Sequence, residues 1–117
     1  MSDTLVEFAQ PLLELLPDDP GIAMMQNVLS LGMLLWNCFV LEASPSHDDR
    51  KEAGELRAHV LATANRSGVP RDLMADLLEE LAERKRTLYP DDRRLIAGID
   101  VRPDCDGFHV QAMSILR

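Results

Sequence analysis

The stretch Ile22–Leu41, IAMMQNVLSLGMLLWNCFVL, runs for twenty residues without a charged side chain in a protein that is 27% charged overall. Whatever fold the chain adopts has to cover it. Asp18-Asp19-Pro20 reads as a helix start, with Asp19 as the cap and Pro20 at the first position, where no N–H is needed. Glu42-Ala43-Ser44-Pro45 reads as the stop, because proline breaks the ladder and disfavours α geometry at Ser44. The spacing therefore predicts a helix over about 20–43. At about 100° per residue, Gln26, Ser30, Met33 and Asn37 share one stripe, with Asn27 at its margin. Its other faces are apolar, as in a core helix or a membrane span.

Length alone permits a span. Against it stand the amide and hydroxyl stripe, acids rather than Lys or Arg at both flanks, and no Tyr belt. The first basic residue is Arg50, so no signal-peptide basic region precedes the apolar run. The expectation is a buried helix in a soluble protein, with no membrane partner.

Outward from this helix, Leu5, Phe8, Leu12, Leu15 and Leu16 give an amphipathic helix over about 4–16, with Thr4 and Glu7 at capping-box spacing. Pro11 should kink or split it. A third helix is expected over about 48–67, capped by Ser46 or Asp48 and stopped by Gly68. Its apolar side is Ala53, Leu56, Val60 and Ala64, with Leu61 beside it. A fourth, over about 70–88, opens at Pro70 and turns Leu73, Leu77, Leu78, Leu81 and Leu88 inward. Beyond Pro90 the period becomes two. Leu95, Ala97, Ile99 and Val101 form one set, and Phe108, Val110 and Ala112 another. Between them Pro103–Gly107 is rich in turn formers, so a β-hairpin is expected over about 95–115. The fold class is α+β, mainly α: about four helices around the long apolar helix, with a C-terminal hairpin, in a single domain over 1–117.

Charge is unevenly spread. Residues 1–49 hold eight acids and no Lys or Arg, and the net charge is −8. An acidic whole argues against a non-specific nucleic-acid binder. Two cysteines, Cys38 and Cys105, make no disulfide framework and fit a reducing cytoplasm.

Glu83-Arg84-Lys85-Arg86-Thr87-Leu88, then Asp92-Arg93-Arg94-Leu95-Ile96 and a hairpin, resembles a family of small bacterial proteins. Their early helix is also interrupted by proline, and their apolar helix contains Trp-Asn, here Trp36-Asn37. The family carries no assigned activity, so the resemblance implies a fold and supplies no site.

Chemistry-bearing patterns are sparse. The row Asp72, Asp76, Glu79, Glu80, Glu83 lacks the inward Glu-x-x-His of a di-metal bundle, and Glu80 precedes Arg84 by four, as on a salt-bridged surface. Glu55 and His59 share a face but are two ligands only. His47 and His109 have no partner in sequence that would make either a base. Cys38 lies in apolar surroundings, and Cys105 between two aspartates has its thiolate disfavoured. Asp104-x-Asp106-Gly107 lacks the other ligands of a calcium loop. Three of the six methionines lie in the central helix and suit core filling or a pliable groove. No catalytic activity, metal or cofactor is expected.

One basic cluster remains. Arg84, Lys85, Arg86, Arg93 and Arg94 place five of twelve cations within eleven residues. They either balance the acidic first half or contact an anion or nucleic acid. The leading expectation is a module that binds another protein or itself as a homodimer. The alternative is a regulator that contacts an anion or nucleic acid through Arg84–Arg94.

Overall fold

The computed structural model describes every residue except Pro20, Ser67, Gly68, Val69, Asp106 and Arg117. The expected roles of Pro20, Gly68 and Asp106 therefore lie outside the described residues. Five helices and a hairpin follow in order among those described: α1 Ser2–Phe8, α2 Gln10–Leu13, α3 Ile22–Glu42, α4 His47–Arg66, α5 Arg71–Leu88, β1 Arg94–Asp104 and β2 Gly107–Leu116.

The N-terminal helix is split, as Pro11 requires. A continuous helix would route the residue-11 N–H to the Glu7 carbonyl, and proline has none. The break falls at Ala9, and the structure uses it. Ala9 lies where a Cβ added at Gly32 would stand 3.1 Å from its own Cβ. Gly32 thus lets the broken corner rest on the backbone of α3. The helix starts at Ser2, not near Thr4, so Thr4 caps nothing; Met1 takes the N-cap position without a side-chain bond. The start of α3 differs likewise. Gly21 is the N-cap and Asp19 makes no cap bond. On α4 the expected Ser46 cap is present, its Oγ accepting from the Asp49 N–H at 3.4 Å.

By length and composition α3 could cross a membrane, yet 39% of its most apolar window is buried within the fold. Leu29, Leu35, Trp36 and Cys38 are fully buried. Phe8 meets Trp36 edge-on at 5.2 Å and Phe39 at 6.2 Å, which makes an aromatic centre. Burial fades toward the N-terminus of α3, where Ile22 and Met24 are exposed. α3 is a core helix with one bare end.

Trp36 and Asn37 hold the hairpin to it. The indole N–H donates to the Arg94 carbonyl at 2.7 Å. The Asn37 amide donates to the Ile96 carbonyl at 3.0 Å and accepts the Ile96 N–H at 2.7 Å. A carboxamide has one donor end and one acceptor end, so it serves that strand residue as a neighbouring strand would. The polar stripe of the apolar helix is, at Asn37, the docking point for β1.

β1 and β2 pair antiparallel, from Arg94 with Leu116 to Asp104 with Gly107. Gly107 has φ +137°, a conformation that side chains resist, and it closes the tight turn. The strict alternation read from sequence fails in β1. An irregularity between Ile96 and Gly98 leaves Ala97 without a partner and shifts the phase. Ile96, not Ala97, joins Ile99 and Val101 in the core, and Ala97 is exposed.

Helix α5 is also rotated from expectation. Met74, Leu77, Leu81 and Lys85 are its buried residues. Leu73 and Leu88, expected inside, are exposed. The rotation carries Lys85 under Trp36.

Candidate functional site

Burial and bonding separate the five expected cations. The Arg84 Nε donates to the Phe8 carbonyl at 3.2 Å, and its Nη2 to the Glu7 carbonyl. These are the acceptors the Pro11 break leaves without helical donors, so Arg84 repairs the broken helix. Lys85 is only 8% exposed. Its ammonium donates to the carbonyls of Tyr89 at 2.6 Å and Asp92 at 2.9 Å, and lies 4.8 Å from the centre of the Trp36 ring. Burial lowers its pKa, with Asp92 and Asp91 opposing that shift. Its donors are committed to closing the α5–β1 turn.

Arg86 pairs with Glu83 at 2.7 Å on the surface, and this bond holds the Glu83 carboxyl below its ordinary value. Arg94 meets Asp92 through two nitrogens, at 2.6 and 3.0 Å. That pairing lowers the Asp92 pKa and raises that of Arg94. Arg93 is exposed and borders a small surface hollow with Pro45 and Asp49. The two cluster arginines with ion pairs to carboxylates, Arg86 and Arg94, meet Glu83 and Asp92 rather than acids of residues 1–49. Those acids are met elsewhere: Arg57 pairs with Glu42 at 2.6 Å, and the Tyr89 hydroxyl donates to Glu7 at 2.7 Å. The expected partnership of Glu80 with Arg84 also gives way, to Glu83 with Arg86.

The remaining titratable groups form no constellation. Glu55, His59 and His47 are exposed on α4, and His109 is exposed on β2. No three His, Cys, Asp or Glu side chains gather as a metal-binding group among the described residues. Cys38 is fully buried and directs its thiol to the Ala53 carbonyl at 3.4 Å and to Glu42 at 3.5 Å. Burial, then the Glu42 charge, pushes its pKa up to about 12. Tyr89 is raised to about 12 as well, by burial and then its bond to Glu7.

These two shifts set an alkaline response. Each group keeps its proton in the folded protein above the pH at which the unfolded chain releases it. The stability this provides is full below the unfolded value and is lost as pH rises toward 12. Cys38 and Tyr89 therefore lower stability from about pH 9 upward, while Lys85, with its lowered pKa, acts in the opposite direction. In Cys38→Ala the slope between pH 9 and 10 should disappear, and in Tyr89→Phe the slope should weaken only above pH 10. Urea melts at four alkaline pH values check this; an unchanged slope in Cys38→Ala contradicts it.

Two surface features went unseen in the sequence. Between α4 and α5 lies an open groove of about 490 Å³, lined among the described residues by Leu61, Ala62, Ala64, Met74, Ala75 and Leu78, with Arg71 as a charged lining residue. Both helices pack on the core, and they touch each other little. Leu61, which the sequence placed beside the α4 core face, is 42% exposed here. A second cleft, of about 840 Å³, separates α1 and α2 from β2. Comparison with known proteins adds no assignment: no family model, no curated protein and no solved structure matches the chain.

Proposed function

We infer that the protein is a small cytoplasmic interaction module without catalytic activity, which associates with a second copy of itself through the α4–α5 groove. The observation that carries this is the groove itself: an apolar trough left open between two helices whose other faces are core and charge. Apolar surface of this kind favours association. The charges around it suit a second copy. Arg71 stands at one end of the exposed side of α5, and Asp76 and Glu79 follow on the same helix. Antiparallel contact of two α5 helices across the small Ala75 brings Arg71 of each copy toward the acids of the other.

Light scattering from low to high micromolar concentration tests this. The wild type should rise toward the mass of a dimer. Leu61→Glu should stay monomeric, with its stability changed by no more than about 1 kcal/mol, since Leu61 is partly exposed. A wild type that stays monomeric throughout overturns the self-association reading. An anion contact through Arg84, Lys85, Arg86, Arg93 and Arg94 is the second reading. Its support is the free approach to Arg93, while the other four already hold protein acceptors.

A further inference from the structure

We propose that the cleft between α1 and β2 receives an extended peptide that alternates apolar and basic side chains, adding as a third strand along the open edge of β2. Among the described residues the sheet has two strands, so each has an edge with main-chain donors and acceptors turned away from its partner. Nature protects such edges with charge, proline or cover. β1 has all three: Arg94, Asp100, Arg102 and Asp104 along it, Pro103 near its end, and Asn37 over Ile96. β2, from Gly107 to Leu116, carries no Asp, Glu, Lys or Arg at all.

The register shows which groups are open. The Ala112 N–H donates to the Ser2 hydroxyl at 2.8 Å, so Ala112 turns its main-chain groups away from β1. Alternation then turns those of Val110 and Phe108 the same way, toward the cleft. Ser2 ends the open run on one side and the turn at Gly107 ends it on the other. At about 3.3 Å per residue, this admits a stretch of about four residues. Apolar footing comes from Val6, Leu13 and Met25, none of them fully buried.

Charge selects the occupant. Asp3 and Glu7 are exposed on the cleft wall, and among the described residues no Lys or Arg lines it. The Arg84 guanidinium touches the Glu7 and Phe8 carbonyls but does not line the cleft. The titratable residue contributed by β2 is His109. A second copy would be poorly suited, because pairing β2 with β2 draws Asp3 and Glu7 of both copies to one sheet edge. A basic extended segment meets the opposite condition, with main-chain bonds supplying affinity and alternate side chains supplying selectivity.

The probe is a panel of nine-residue synthetic peptides alternating Val, Ile or Phe with Lys or Arg, titrated into the full chain and followed by fluorescence anisotropy and amide NMR. Members of the panel should bind and shift the Val110 amide, while the same peptides with Glu in place of Lys and Arg should not. Val110→Pro removes the outward N–H at a position that gives β1 no ladder bond, so the hairpin persists. It should weaken binding roughly three- to tenfold. Asp3→Lys should weaken it at low salt and much less at high salt. Peptide binding equal for basic and acidic panels, or untouched by Val110→Pro, overturns the proposal, as does no binding by any member. A dimer that Val110→Pro dissociates would give the edge to a second copy instead. Leu61→Glu should leave peptide binding unchanged, so failure of this cleft and failure of the groove are read separately.

Discussion

Replacing Leu35 with Asp should abolish the cooperative thermal transition. Leu35 is fully buried on α3, in the cluster that joins Leu5 and Phe8 to Leu81 and Ile96. The described members of that cluster are apolar, so the charge would be buried unpaired or the core would open to hydrate it. Either costs on the order of 3–5 kcal/mol, against a total of about 5–15 kcal/mol for a domain. Circular dichroism on heating should show a broad, shallow curve with near-ultraviolet signal already lost at low temperature. A sharp transition close to that of the wild type would place Leu35 at the surface and α3 outside the core.

The second large effect belongs to Asn37. Asn37→Leu keeps the volume near constant but strips both partners from the Ile96 main chain. An unmet buried donor or acceptor costs about 1–3 kcal/mol, so a loss of about 2–4 kcal/mol in a urea melt is expected for the pair. Asn37→Asp separates the two bonds. It keeps an acceptor for the Ile96 N–H but sets a carboxylate against the Ile96 carbonyl, and should be destabilised less at low pH, where the acid can donate. In Asn37→Leu the Ile96 amide should exchange faster, while Leu81 in α5 is protected until global unfolding. If Asn37→Leu melts with the wild type, β1 does not depend on this side chain.

Much of the fold was legible because the patterns involved are local. The apolar run ended by Ser44-Pro45 gave α3, Pro11 gave the split N-terminal helix, and the turn formers before Phe108 gave the hairpin. The departures have a common physical origin in tertiary geometry. Lys85 read as one member of a cationic cluster, yet it is buried, and two carbonyls and the Trp36 face supply what water would. Its burial fixes the rotation of α5 and leaves Leu73 and Leu88 outside. Ala97-Gly98 can continue a strand or bulge it equally well, and the demand that Ile96 meet Asn37 decides for the bulge.

The basic cluster was visible as composition, but its bonding was not. Arg84 serves two carbonyls freed by a proline more than seventy positions away. The α4–α5 groove left no signal, because a trough depends on how closely two helices approach and no residue in either one encodes that. Leu61 and Leu78 looked like ordinary core leucines. The open edge of β2 was legible in part, as a strand without charge, but Ser2 over Ala112 had to be seen to know which groups remain free.

The claim at the centre of this account is that the α4–α5 groove is a docking surface for a second copy. Methyl NMR of the wild-type protein over a concentration series tests it most directly, since it reports where association occurs as well as whether it does. The methyl resonances of Leu61, Ala75 and Leu78 should move together with rising concentration and return to their dilute positions in Leu61→Glu, where that variant retains them, while Leu5 and Leu35 stay fixed. Resonances that hold still at every concentration, or that move only at Ile22 and Met24 on the bare end of α3, would contradict it.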